Sequence, residues 1–161
     1  MPDPVLVVEQ LTKRYGAQTV IDNLSFSVER GARVTVFAPS SAGKTTLINI
    51  LTGLDRDYEG RFTLAAAQPV TIFQEPRLFP YMTVEENVFL PARLRKQPVT
   101  GALRAAYARW LDVCGLAPFT RHYPYQLSGG MKQKLALIRG FLTGPDFVMM
   151  DEPFKSIDVP S

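Results

Sequence analysis

A run of small residues leads into a lysine and two threonines in the first third of the sequence. It reads APSSAGKTT and covers residues 38–46. Small side chains let backbone N–H groups approach an anion, and the ammonium group of Lys44 can reach phosphate oxygens as a mobile point charge. The hydroxyl of Thr45 suits Mg²⁺, which prefers oxygen ligands. This order of residue types predicts a phosphate-binding loop. The residues expected to contact phosphate are Ala38, Pro39, Ser40, Ser41, Ala42, Gly43, Lys44, Thr45 and Thr46.

Two acidic residues follow a short apolar run near the end of the sequence. Asp151 and Glu152 come directly after FVMM, residues 147–150. The run is typical of a strand covered on both faces, and the carboxyl ends of such strands are where α/β sheets bind ligands. Asp151 would hold Mg²⁺ through water and Glu152 would polarise an attacking water, because phosphoryl transfer depends on positioning and charge neutralisation. The alternative is a strand that simply ends in two solvated carboxylates. The phosphate-binding loop predicted at Lys44 favours the metal and water roles over this alternative.

A third stretch, LSGGMKQK, covers residues 127–134. Ser128 is suited to cap a following helix, and Gly129 and Gly130 expose backbone N–H groups at the positive end of that helix. A capped helix start alone does not explain two consecutive glycines shortly before an apolar strand that ends in Asp-Glu. The stretch therefore predicts a second anion site.

The elements that position these residues follow from the hydrophobic pattern. Runs rich in β-branched and aromatic residues predict strands, and apolar residues at helical spacing predict helices. An ordinary strand-to-helix turn remains an alternative for the loop, although a lysine at a helix start opposes the helix dipole unless an anion is bound. We expect one α/β domain over 1–161, with a sheet core at 1–81 and 135–161 and a helical insertion at about 82–134. The expected strands are 5–9, 24–28, 33–38, 61–64, 69–73 and 147–150, and the expected helices include 44–52, 128–142 and a segment with Leu103, Tyr107, Trp110, Leu111 and Cys114 on one face.

Composition restricts the possible classes of protein. The chain has 161 residues, of which 46% are hydrophobic and 20% charged, as in an ordinary globular domain. Its apolar runs are shorter than the roughly 20 residues of a membrane-spanning helix, so we expect any membrane role to depend on a partner. The net charge is +3, but the basic residues are scattered and form no run, so nucleic acid is not an expected partner. The single cysteine, Cys114, is expected to pack in the core.

Taken together and in order, these motifs resemble those of ABC ATPases. LSGGMKQK is similar to the LSGGQ signature, and FVMMDE is similar to a Walker B segment. Tyr15, in LTKRYG, resembles the aromatic residue that stacks on adenine, although a partly buried strand tyrosine is the alternative. Gln74, in IFQEPRLFPYMTVEENV, resembles the Q-loop glutamine, and residues 156–158 resemble the D-loop.

The resemblance implies a P-loop NTPase of the α/β class, with a RecA-like core sheet, an antiparallel β subdomain and an inserted ABC helical subdomain. It implies ATP and Mg²⁺ as cofactors, and separate transmembrane permease subunits as partners. It also implies a second nucleotide-binding domain packed head to tail, and a peripheral position on the cytoplasmic face of the inner (plasma) membrane. Importers of small oxyanions or sulfonates are the most similar systems. The implied site residues are Lys44, Gln74 and Glu152 for catalysis, Thr45, Gln74 and Asp151 for the metal, and Tyr15, residues 38–46, Ser128, Gly129 and Gly130 for the nucleotide.

The sequence departs from the family pattern in several places. Ala38 stands where the loop usually begins with glycine, which is tolerable if its φ is negative, and Ser41 also replaces a usual glycine. The sequence stops at Ser161, before the strand and switch histidine of the family, and His122 precedes the signature. The resemblance implies an ABC-type ATPase subunit that hydrolyses ATP to power solute transport through separate transmembrane subunits. For this sequence, which lacks the histidine and its strand, we expect an incomplete domain with an unpaired sheet edge that binds ATP but hydrolyses it poorly. A hydrolysis-deficient regulatory protein and a soluble ABC-type ATPase remain alternatives.

Overall fold

The computed structural model describes residues 3–39 and 42–155. The chain divides into two compact units, Met1–Gln68 and Pro69–Ser161. The expected α/β class is confirmed, because an antiparallel sheet, a parallel strand pair and several helices are all present.

The first unit is built on a three-stranded antiparallel sheet in the order β2-β1-β3. Strands β1 (Pro4–Tyr15), β2 (Gln18–Glu29) and β3 (Glu59–Leu64) are longer than the sequence predicts. β1 and β2 are joined by a two-residue turn whose first residue, Gly16, has a φ of 58°, a conformation that glycine adopts without strain. Helix α1 (Lys44–Leu51) begins where the sequence predicts and buries Leu47, Ile50 and Leu51.

The strand predicted at residues 33–38 is absent from the described structure, so this prediction is wrong. The segment RVTVFA has neither helix nor strand, and its Phe37 side chain is 90% exposed. In the part of the chain that the structure describes, neither sheet includes these residues. Strand preference measures how well side chains fit a half-buried pleated surface, so a β-branched run does not form a strand without a neighbour.

As far as residue 155, the second unit contains a pair of parallel strands and three α-helices. Strand β4 (Pro69–Ile72) pairs with β5 (Phe147–Met150) over their whole length. Thr83 and Glu86 form a capping box at helix α2 (Val84–Leu94), and Thr100 caps helix α3 (Gly101–Cys114). Helix α4 spans Gly129–Phe141 and is preceded by 3₁₀ turns at Ala117–Phe119 and Pro124–Gln126.

The helices of the second unit pack around one apolar core. Its buried members come from α2, α3, α4 and the turns between them, and include Val84, Val88, Phe89, Tyr107, Leu111, Leu116, Leu127, Leu135, Ile138 and Leu142. The predicted stripe of α3 is largely confirmed, since Leu103 and Cys114 pack against this core, but Trp110 is partly exposed outside it. Among the described residues, no helix has the length and apolar character needed to cross a membrane.

Candidate nucleotide-binding site

The start of helix α1 offers backbone N–H groups to an anion. Gly43 occupies the N-cap position with a φ of 83°, and no side chain caps the helix from that position. A Cβ atom at Gly43 would lie 2.7 Å from Cγ1 and 3.1 Å from the carbonyl oxygen of Val20, so both the space and the conformation require glycine. The first turn of α1 carries no acidic residue. Its orphan N–H groups and the positive end of the helix dipole therefore favour a negatively charged ligand.

The Lys44 side chain folds back over the loop that precedes the helix. Its ammonium group donates hydrogen bonds to the carbonyl oxygens of Ala38 (2.7 Å) and Pro39 (2.9 Å). An ammonium group has three donors, so it can contact a phosphate oxygen while it still holds the loop. A second loop contact, from the Ala42 N–H to the Pro39 carbonyl (3.1 Å), closes the turn.

The rest of the loop fits the same ligand as far as the structure describes it. Ala38 is not among the described residues with a positive φ, so its methyl group meets no backbone strain of that kind. Thr45 is exposed and Thr46 is half-buried in the first turn of α1. Ser40 and Ser41 lie outside the described residues. The roles of these residues stay predictions.

Tyr15 ends strand β1 in the same unit. Its ring is 51% exposed and its hydroxyl donates a hydrogen bond to Oδ2 of Asp55 (3.1 Å). The ring is therefore held at one end and still presents surface to a ligand, as a base-stacking residue must.

In the second unit, the acidic pair lies at the carboxyl end of the parallel strands. Asp151 follows β5 directly, is 5% exposed, and its N–H donates to the carbonyl of Ile72 at the end of β4 (2.9 Å). Gln74 is exposed two residues beyond Ile72, so it leaves the sheet at the same end. The structure thus brings the starts of both predicted loops to one sheet edge.

Glu152 has an unusual backbone for a residue with a side chain. Its φ is 43°, in the left-handed region, and its carboxylate pairs with the ammonium of Lys155 (3.0 Å). Non-glycine residues in this region store strain and occur preferentially at functional sites. Four other described residues, Gln10, Asn23, Arg77 and Lys96, also have a positive φ, so the role of Glu152 stays a prediction.

The predicted signature segment forms the start of α4. Ser128 is the N-cap, and its side-chain oxygen accepts a hydrogen bond from the N–H of Met131 (3.2 Å). A Cβ atom on Gly129 would meet nothing within 4 Å, so the backbone at this helix start is open. Ser128 and Gly129 are exposed and Gly130 is half-buried. The geometry suits a second anion contact, as the sequence predicts.

Two polar residues of α4, the buried Gln133 and the half-buried Arg139, support these loops, and the sequence did not point to either of them. Gln133 is buried, and its side-chain amide donates to the carbonyl of Pro153, next to Glu152 (3.0 Å). The guanidinium of Arg139 donates to the carbonyls of Pro76 (2.9 Å) and Arg77 (3.0 Å), in the loop after Gln74, and burial lowers its pKa. The helix that carries the signature therefore anchors both loops at the sheet edge.

A resident magnesium ion would use hard oxygen donors. Within residues 3–39 and 42–155 no three His, Cys, Asp or Glu side chains form a metal cluster. The donors predicted for Mg²⁺ are the Thr45 hydroxyl, the Gln74 amide oxygen and the Asp151 carboxylate, and each is an oxygen ligand of the kind that Mg²⁺ prefers. Thr45 belongs to the first unit, and Gln74 and Asp151 to the second. The predicted D-loop at residues 156–158 lies outside the described residues.

Comparison with known proteins identifies the family of the chain. The family model described as "ABC transporter" matches residues 21–155. The aliphatic sulfonates import ATP-binding protein SsuB of a Bacillus cereus strain is 38% identical over 159 residues, which cover 94% of this chain and 62% of that protein. The protein of the same name from Bacillus anthracis is 39% identical over 153 residues, with 91% of this chain and 59% of that protein covered. The chain thus spans about three fifths of the length of these relatives.

Solved structures agree with this result. The dimeric structure of the ATP-binding cassette MJ0796 in a post-hydrolysis state, bound to ADP and Pi, matches with a TM-score of 0.82 and 26% identity, and covers 95% of this chain and 76% of that one. The dimeric structure of MJ0796, described as a bacterial ABC transporter cassette, matches with a TM-score of 0.83 at the same identity and coverage.

The fold is that of an ATP-binding cassette, as its similarity to these solved structures shows. The chain belongs to the ABC transporter family. The family and fold expected from the motifs are confirmed.

Proposed function

We propose that the chain binds MgATP as the nucleotide-binding subunit of a transporter and hydrolyses it to power solute import. The observation that carries the proposal is the start of α1, where Gly43 is required by space and conformation and Lys44 lies on the loop. A helix start of this kind favours an anion, and the family membership of the chain indicates that this anion is a nucleoside triphosphate.

The proposed roles divide between binding and chemistry. Lys44 and the N–H groups of α1 contact the phosphates, and the ring of Tyr15 stacks on the adenine. Bound Mg²⁺ would neutralise phosphate charge, with Thr45 and Asp151 among the residues that hold it. Glu152 orients and polarises the attacking water, and Gln74, in the neighbouring loop, contacts the metal and the same water.

The proposed partners follow from the relatives and the exposed signature. Ser128, Gly129 and Gly130 present a helix start that would contact the nucleotide bound to a second copy, packed head to tail. The transmembrane subunits would be separate polypeptides, with this chain peripheral on the cytoplasmic face of the membrane. Because the relatives above are named for the import of aliphatic sulfonates, we propose sulfonates or similar small oxyanions as the solute class.

The proposal is tested by steady-state phosphate release from MgATP. We expect Glu152→Gln to lower the rate by about 10²- to 10⁴-fold, the usual contribution of a general base, with little change in MgATP affinity. Asp112→Asn, an exposed acid on α3, is the matched control and should keep the wild-type rate.

Two results would change this assignment. Equal rates for wild type and Glu152→Gln would remove Glu152 from the chemistry. Tight MgATP binding by the wild-type chain without phosphate release would replace the ATPase with the hydrolysis-deficient regulatory protein.

A further inference from the structure

A buried lysine lies directly beneath the proposed base-stacking tyrosine. Lys13 is on β1, two residues before Tyr15, and is only 3% exposed. Its ammonium group donates to Oδ1 of Asp55 (3.0 Å), to Oδ2 of Asp57 (3.3 Å) and to the carbonyl oxygen of Asp57. All three ammonium hydrogens therefore have an acceptor, and the group is held in one place.

Asp55 connects this lysine to the tyrosine. Its Oδ1 also accepts a hydrogen bond from the N–H of Asp57 (3.0 Å), and its Oδ2 accepts the hydroxyl of Tyr15 (3.1 Å). The hydrogen bond from Lys13 lowers the pKa of the Asp55 carboxyl, and the backbone hydrogen bond from Asp57 lowers it further. The carboxylate thus stays ionised near neutral pH and acts as an acceptor through both oxygens.

The tyrosine ring is restrained at two points. The ammonium of Lys13 lies over the ring, 4.8 Å from its centroid, which is within the range of a cation–π contact. With the hydroxyl held by Asp55 and the ammonium over the ring, the remaining exposed surface of Tyr15 can receive a flat base. A restrained ring loses less conformational entropy when the base stacks on it.

The same cluster is linked to the phosphate-binding loop. In the β1–β2 register Lys13 pairs with Ile21, and Cγ1 of Ile21 lies 3.4 Å from the Cβ position of Gly43. Helix α1 starts after Gly43 and ends at Leu51, and the chain then enters the turn that carries Asp55. Both ends of α1 are therefore tied to this cluster within one compact unit. The proposed anion site lies at the start of the helix, and Asp55, which holds Tyr15, follows its end.

We propose that Asp55 is a positioning residue for base recognition, which fixes the Tyr15 ring over Lys13 in the orientation that stacks on adenine. The inference rests on the proposed function, which gives Tyr15 its contact with the base. Asp55 touches no nucleotide atom itself. It affects the contact with the base only through Tyr15, and it leaves the contacts with the triphosphate unchanged.

The test compares MgATP with magnesium tripolyphosphate, which has the phosphates and lacks the base. Both affinities are measured by displacement of a fluorescent ATP analogue from the full chain. For Asp55→Ala we expect MgATP affinity to fall about 2- to 10-fold, the effect of having to order one freed side chain when the base stacks, with tripolyphosphate affinity unchanged. Lys13 loses one of its three acceptors in this variant, and the two acceptors on Asp57 remain in the sequence.

Two further variants isolate the contact. Tyr15→Phe removes only the hydroxyl that Asp55 accepts. It should lower MgATP affinity by less than Asp55→Ala does, and it should leave tripolyphosphate affinity unchanged. In that background Asp55→Ala should add less than it does in wild type, because the two residues share one interaction. Glu59→Gln is the matched control, since it removes a nearby acid that pairs with exposed Arg14, and it should change neither affinity.

The outcomes separate this inference from the proposed function. If Tyr15→Ala weakens MgATP but Asp55→Ala and Tyr15→Phe do not, only the role of Asp55 is overturned. If Asp55→Ala weakens MgATP and tripolyphosphate equally, Asp55 acts on the fold of the unit, and the inference is again overturned. If Tyr15→Ala leaves MgATP affinity unchanged, the adenine contact of the proposed function is wrong and this inference fails with it.

Discussion

The two compact units build their parts of the candidate site by different means. In the first unit, the proposed phosphate contacts are backbone N–H groups at the start of α1 and a lysine that lies on loop carbonyls. In the second unit, the loops proposed to act in catalysis are held by two side chains of α4, the buried Gln133 and the half-buried Arg139, and α4 itself packs in the apolar core. A backbone site tolerates side-chain changes such as Ala38 for glycine, whereas a site held by buried side chains depends on the packing beneath it.

Two apolar residues, one from each unit, differ sharply in burial. Leu135 is fully buried in the core of the second unit, whereas Phe37 of the first unit is almost fully exposed. We expect Leu135→Ala to lower the free energy of unfolding by about 2–5 kcal/mol, and Phe37→Ala to change it by less than about 0.5 kcal/mol. Urea unfolding measures both. Equal losses for the two variants would show that residues 33–38 are packed, and would remove the contrast.

The phosphate contact of the first unit should depend strongly on one charge. We expect Lys44→Ala to weaken MgATP binding by about 10- to 150-fold, since hydrogen bonds to charged groups contribute about 1.5–3 kcal/mol. Lys96→Ala, which removes an exposed lysine after α2, is the control. Unchanged binding of a fluorescent ATP analogue to the Lys44 variant would refute its assignment.

A smaller effect should follow from removing a helix cap in the second unit. The side chain of Thr83 accepts the N–H of Glu86, and the Glu86 carboxylate accepts the N–H of Thr83 (2.8 Å). We expect Thr83→Ala to cost about 1 kcal/mol of stability. Thr83→Ser keeps the hydroxyl and should restore most of the loss in thermal unfolding. A Ser variant no more stable than the Ala variant would assign the effect to packing.

The smallest effect concerns acid. The hydrogen bond from the backbone of Thr83 holds the pKa of Glu86 below its ordinary value near 4.5. The contribution of Glu86 to stability is therefore complete above pH 4.5 and disappears as the pH falls through the lowered pKa. We expect unfolding free energy to decline less between pH 5 and pH 3 for Glu86→Gln than for wild type. The Glu29→Gln variant, at an exposed position, is the reference. If its unfolding free energy declined as little between pH 5 and pH 3 as that of Glu86→Gln, the assignment would be contradicted.

Local features of the structure could be predicted from the sequence. The start of α1 at Lys44, the cap of α4 at Ser128 and the strand before Asp151 all depend on a few neighbouring residues. Glycines, hydroxyl caps and apolar runs carry this information within one or two turns of chain. The class of protein followed from the order of such local signals.

Contacts between distant parts of the chain could not be predicted in this way. The strand expected at 33–38 failed because a strand needs a neighbour, which its own residues do not specify. Lys13 and Asp55 are 42 positions apart, and Arg139 is 62 positions from Arg77. Each is an ordinary surface residue type, and only the fold shows that Lys13 is buried, and Arg139 half-buried, against specific partners.

The most direct test of the central claim is an experimental structure of the chain with a non-hydrolysable ATP analogue and Mg²⁺. We expect the β- and γ-phosphates to accept hydrogen bonds from the backbone N–H groups at the start of α1, with the Lys44 ammonium moved from the loop carbonyls toward the phosphate oxygens. Phosphates bound anywhere other than on the turn that leads into Lys44 would contradict the account.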